Sequence, residues 1–122
     1  MVILIAEDEP AIADVVAAVV EDAGHTAVVA THGQQALDRA REQWPTLLIT
    51  DLMMPHLTGT ELIRALRVYA QEHASAPLPV ILMTAAGRKQ ARAAGADAIL
   101  LKPFDLARLE ALLQRFLAPA VT

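Results

Sequence analysis

Apolar residues in this chain fall into short unbroken runs separated by stretches of helical periodicity. Val2–Ala6 is apolar throughout and reads as a strand. Pro10 is placed to open a helix at its first position. Ile12, Val15, Val16, Val19 and Val20 then recur at helical spacing until Gly24 supplies a stop. Thr26–Ala30 reads as a second short strand. Ala36, Leu37 and Ala40 mark a small second helix, ended by Trp44 and Pro45, because the residue before a proline is driven out of helical geometry. A third strand is predicted over 46–50. Thr58 and Glu61 have the spacing of a capping box for a helix bearing Leu62, Ile63, Leu66 and Tyr69. Segment 72–79 reads as loop from its Ser and Pro content, and 80–83 as a fourth strand. A short Ala/Arg segment closed by Gly95 follows, then a fifth strand over Ala98–Leu101. A last helix carries Leu106, Leu109, Leu113 and Phe116 on one face.

Strands that are apolar throughout, rather than alternating, require cover on both faces of their sheet. Five strand–helix units therefore predict an α/β fold, a doubly wound five-stranded parallel sheet with helices on both sides. The 122 residues suit one domain spanning 1–122, with no linker, internal repeat or low-complexity tract, and no second domain is expected after Leu117. A composition that is 55% hydrophobic argues against disorder. A net charge of −4 gives no footprint for direct nucleic-acid binding. The absence of cysteine excludes disulfides and thiolate chemistry. Acids appear by Glu7, unlike a signal peptide, and no apolar run approaches the ~20 residues of a membrane span. The expectation is a soluble cytoplasmic domain without a membrane partner.

The candidate chemistry collects at strand ends, where α/β sheets bind ligands. Asp51 follows Leu47, Leu48, Ile49 and Thr50 and precedes a turn at Leu52, Met53, Met54 and Pro55. Glu7, Asp8 and Glu9 follow the first apolar run. Thr84 ends the fourth, and Lys102 follows the fifth, directly before Pro103. Three consecutive acids can be no more than a solvated loop. If the first and third strands are neighbours, however, these carboxylates converge on Asp51. Like charges ~4 Å apart repel by ~1 kcal/mol even in water, so the cluster implies a cation, and oxygen-only ligands suit Mg2+. A lone lysine is ordinarily a surface charge, but only Lys89 and Lys102 occur beside eight arginines, so position 102 departs from the chain's bias. Its compact ammonium suits a phosphoryl oxygen or a carboxylate in a narrow site, and a cis bond to Pro103 would fix its direction. The set suits metal-assisted phosphoryl transfer onto a carboxylate. His25, His32, His56 and His73 lack ligand spacing and read as surface residues, His56 being of most interest for its nearness to Asp51.

The ordered set of Ile3-Leu4-Ile5-Ala6-Glu7-Asp8-Glu9-Pro10, Ile49-Thr50-Asp51-Leu52-Met53-Met54-Pro55, Leu82-Met83-Thr84-Ala85, Gly95-Ala96-Asp97 and Lys102-Pro103-Phe104 resembles the receiver domains of bacterial two-component response regulators. The resemblance covers nearly the whole chain. It implies the flavodoxin-like strand order 2-1-3-4-5. It also implies that Asp51 takes a phosphoryl group from a sensor histidine kinase or phosphotransfer protein and passes a signal to a downstream effector. Mg2+ would be held by Asp8, Asp51 and the carbonyl of Met53, with Glu7 binding directly or through water, while Thr84 and Lys102 would contact phosphoryl oxygens.

Departures from the family pattern carry their own expectations. Ile99 stands where an aromatic switch is common. Met53 and Ala86 stand where polar groups often position hydrolytic water, which implies slow loss of phosphate. The segment between Thr84 and Gly95 is about one turn shorter than usual, which predicts a shortened, irregular or mobile fourth helix. A monomer is expected, or a weak dimer through helix one or five. A haloacid-dehalogenase-type phosphatase would want a second Asp where Met53 stands. A pseudo-receiver would have lost the acids or the lysine.

Overall fold

The computed structural model describes residues 1–85 and 87–117. Five strands alternate with five helices: β1 (Val2–Ala6), α1 (Pro10–Asp22), β2 (Thr26–Ala30), α2 (Gly33–Glu42), β3 (Leu47–Asp51), α3 (Gly59–Glu72), β4 (Val80–Thr84), α4 (Arg88–Ala93), β5 (Ala98–Leu101) and α5 (Leu106–Leu117). The strands form one sheet in the order β2-β1-β3-β4-β5, and every neighbouring pair is parallel. This is the doubly wound, flavodoxin-like arrangement that the sequence and its resemblance imply.

The strands feed two separate cores by simple alternation. Leu4, Ala6, Leu48, Val80 and Leu82 face the side covered by α2, α3 and α4. Ile3, Ile5, Leu47, Ile49, Ile81 and Met83 face α1 and α5. Each fully buried aliphatic side chain contributes roughly 1.5–3 kcal/mol relative to exposure, so the uninterrupted apolar runs are what make a two-faced sheet stable.

Local signals place most helix ends. Pro10 opens α1. Gly24 and Gly95 adopt φ of 91° and 83°, left-handed values that glycine reaches without a Cβ penalty. At α3 the capping box is complete: Glu61 N–H donates to Thr58 Oγ1 at 3.2 Å, and Thr58 N–H donates to Glu61 Oε1 at 3.0 Å. The bond from Thr58 N–H, with help from the Thr58 side chain, holds the exposed Glu61 carboxyl below its ordinary range. The fourth helix is short as expected, six residues, with Ala91 buried and Arg88, Lys89 and Arg92 in solvent.

Several expectations are corrected. The third strand runs over Leu47–Asp51 rather than 46–50, and the fourth extends to Thr84. Leu52 N–H still donates to Met83 O, and Lys102 N–H to Thr84 O, so the ladders continue past the last aliphatic residue. Helix α3 includes Glu72, which leaves the loop to begin at His73. Val15 is 43% exposed while Ala13 is buried, because the face of α1 that packs inward runs through Ala13, Val16, Val19 and Val20. Leu106 is 45% exposed, and Leu112 and Leu117 join Leu109 and Leu113 in the core instead. Tyr69 lies outside the core, stacked between Trp44 and His73 at centroid distances of 5.5 and 3.9 Å.

Candidate functional site

The C-terminal ends of β1, β3, β4 and β5 open onto one edge of the sheet. Because β1 and β3 are neighbours, with Ala6 opposite Thr50, the residues just beyond them meet. Glu7, Asp8 and Asp51 each place a carboxylate oxygen within 4.8 Å of the others. Thr84 ends β4 beside Asp51, whose register partner is Met83, and Thr84 is itself buried. Lys102 arrives from β5, held by its N–H to Thr84 O at 2.8 Å. Its Nζ lies 3.3 Å from Asp51 Oδ2 and 3.4 Å from both oxygens of Glu7. The Lys102–Pro103 bond is cis.

Burial grades the three acids. Glu7 is 1% exposed and Asp51 8%, whereas Asp8 is open to solvent. Loss of hydration drives the Glu7 carboxyl up from 4.5 to about 7, and the charge of Asp51 pushes the same way, against the pull of Lys102. The site therefore holds more negative charge than one lysine relieves. A cluster of hard oxygen donors at this separation fits a small divalent cation, and Glu7, Asp8 and Asp51 could hold one.

The expected site residues Glu7, Asp8, Asp51, Thr84 and Lys102 thus converge at one edge. Met53, two residues after Asp51, is 69% exposed. Ala86, expected to matter for phosphate loss, lies outside the described residues. His56 is exposed with φ of 68°. The reading of all four histidines as surface groups fails for two. His32 is half-buried and caps α2 by accepting from Gln35 N–H at 3.2 Å. His25 is half-buried with Nδ1 enclosed and without a hydrogen-bond partner. Sequence reasoning also passed over Gly33 and Gly59, which pack directly against the segment that follows Asp51. The only signal for either was a glycine at a helix start.

A five-stranded 2-1-3-4-5 sheet with acids, a hydroxyl and a lysine at its strand ends defines a phosphoacceptor class of signalling domain. Residues 3–114 match the response regulator receiver domain profile, and the chain belongs to that family. It is a receiver domain of two-component signal transduction. Response regulator Rre1 of Synechocystis sp. is 37% identical over 121 residues, covering 95% of this chain and 51% of that protein. The phosphate regulon transcriptional regulatory protein PhoB of Escherichia coli is 33% identical over 127 residues, covering 98% and 54%. The chain thus spans about half the length of these curated relatives. Among solved structures, the receiver domain of a sensor histidine kinase of Pseudomonas aeruginosa, with a magnesium ion coordinated in its active-site cleft, superposes with a TM-score of 0.83 at 29% identity, covering 97% of this chain and 98% of that one.

Proposed function

We propose that Asp51 is the phosphoacceptor, and that residues 1–122 act as one receiver unit that takes its phosphoryl group from a cytoplasmic sensor histidine kinase or phosphotransfer protein. The observation that carries this reading is the placement of Lys102 Nζ 3.3 Å from Asp51 Oδ2 beside the carboxylates of Glu7 and Asp8. A carboxylate oxygen of Asp51 forms the new P–O bond as the P–N bond to the donor imidazole breaks, the electron pair leaving with the ring nitrogen. Such a transfer needs mainly positioning and charge neutralisation. Lys102 neutralises phosphoryl oxygens, and Thr84 donates its hydroxyl to one of them. Asp8, Asp51 and the Met53 carbonyl would hold Mg2+, with Glu7 binding it directly or through water, and the bound cation would supply the remaining positive charge. The chain catalyses its own phosphorylation and, with water as nucleophile, its own return to the free carboxylate and inorganic phosphate. The phosphorylated side chain, carrying roughly −1.5 to −2 charges and strong acceptor oxygens, draws Thr84 and the loop after β4 toward it, and a downstream effector reads that shift.

Supporting this reading, no described helix is long and apolar enough to cross a membrane, and the net charge of −4 disfavours nucleic acid as the direct ligand. Intact-mass spectrometry after treatment with acetyl phosphate and Mg2+ tests it. One phosphoryl adduct is expected on the parent and none on Asp51→Asn. An undiminished adduct on the variant would remove Asp51 from the mechanism.

A further inference from the structure

Two of the five glycines sit where no larger residue fits, and both press on the segment between Asp51 and α3. A Cβ on Gly59 would collide with the carbonyl oxygen of Asp51 and lie 3.0 Å from Leu52 Cα. A Cβ on Gly33, at the start of α2, would lie 2.6 Å from Leu57 Cβ and 2.7 Å from Leu57 O. The other glycines are roomy by comparison: Gly24 has nothing within 4 Å, and Gly87 meets only Gln90 Oε1 at 3.6 Å.

Between these two contacts the segment is pinned at several points. Leu52 N–H donates to Met83 O at 3.0 Å, and Leu52 O accepts from Gly59 N–H at 2.8 Å. Met54 is buried, and Leu57 N–H turns back to Pro55 O at 2.7 Å. Met53 is different. Its side chain lies in solvent, so no packing of its own holds it, and its backbone goes where its neighbours put it.

We infer that Gly33 is a positioning residue for the cation site: by letting α2 close onto Leu57, it sets where the loop presents the Met53 carbonyl to Glu7, Asp8 and Asp51. This rests on the proposed role of Met53 as a carbonyl ligand. Gly33 lies on α2, outside the acidic cluster, and the nearest atoms that a Cβ there would meet all belong to Leu57, so its effect passes through that residue. A Cβ at position 33 meets backbone as well as side chain, so α2 or the loop must yield by several tenths of an ångström, and displaced outer supports of metal sites typically weaken affinity by about 10–100-fold.

Calorimetric titration of Mg2+ into the full chain, with urea unfolding in EDTA as the measure of stability, separates positioning from packing. Gly33→Ala should weaken Mg2+ binding about tenfold or more. Leu113→Ala removes apolar contact from the other core, on α5, without touching the loop, so it should lower stability while leaving the Mg2+ affinity within about twofold. A folded Gly33→Ala chain with parental affinity would overturn the inference, and so would Leu113→Ala weakening Mg2+ equally. Should Gly33→Ala fail to fold, amide spectra of the parent decide. On Mg2+ titration Gly33 and Leu57 should shift along the same saturation curve as Asp8 and Met53, with Gly24 unmoved. Shifts at Asp8 and Met53 alone would refute the coupling. A parent chain that binds no Mg2+ at all would instead defeat the metal reading itself.

Discussion

Replacing Glu7 by glutamine isolates the electrostatic penalty built into the acidic site. In the metal-free protein the Glu7 carboxyl is buried beside Asp51, and its pKa rises from 4.5 to about 7. A carboxyl whose pKa is higher folded than unfolded favours the protonated native state. Its contribution to stability is therefore complete below about 4.5 and is withdrawn as pH rises through 7. The shift corresponds to roughly 3 kcal/mol once both states are ionised. Glutamine keeps the shape and an oxygen for Lys102 but carries no charge, so it escapes most of that penalty. In EDTA at pH 8, Glu7→Gln should be more stable than the parent by about 1–3 kcal/mol in urea unfolding. For a chain of this size that is about 4 °C in Tm for each kcal/mol. The two chains should converge near pH 4.5, where the parent carboxyl is itself neutral. Millimolar Mg2+ should narrow the gap at pH 8, because the parent gains more from the cation. A variant less stable than the parent at pH 8 in EDTA, or a difference that does not change between pH 5 and 8, would refute the reasoning.

Melting of the parent in EDTA and in millimolar Mg2+ should show a higher midpoint with the cation, since native-state binding adds ~2.7 kcal/mol at a hundred times Kd; equal midpoints would count against a shared site. Met53→Asn combined with Ala86→Glu should speed loss of phosphate from Asp51, because the parent side chains offer no hydrogen bond to an attacking water; radiolabel decay no faster than the parent would show that these positions do not limit the rate. The six-residue α4, with three exposed cations and Ala91 as its buried anchor, offers little apolar area for pairing. Sedimentation with beryllofluoride should therefore find a monomer, or a dimer whose crosslinks avoid 88–94, and an activated dimer mapped to that segment would sink this expectation.

Where sequence and structure part, the cause is packing that periodicity cannot see. Spacing puts Val15 in the apolar stripe of α1, but the packed face runs through Ala13, Val16, Val19 and Val20 and leaves Val15 in solvent. Leu106 matches the α5 stripe yet stands at the helix start, beyond the reach of the sheet, while Leu112 and Leu117 meet it. Tyr69 fits the α3 stripe by spacing and is drawn out by the rings of Trp44 and His73. Glu7 stands in a run of three acids, and only the fold shows that it is the buried one.

By itself the sequence determined the number, type and order of the elements, and which chemical groups end each strand. Both are local properties: an apolar run of strand length, a Pro or Gly stop, and the polar residue written next to the run. Tertiary structure decided everything that depends on which strands are neighbours. Placing β1 beside β3 brings Glu7 and Asp8 to Asp51 across more than forty residues of chain. Placing β5 beyond β4 carries Lys102 to the same point. The partition of uniformly apolar strands between two cores, the raised pKa of Glu7 and the contact of Gly33 with Leu57 belong to the same class. They arise from desolvation and close approach between segments remote in sequence, and such distances exist only once the sheet has been assembled.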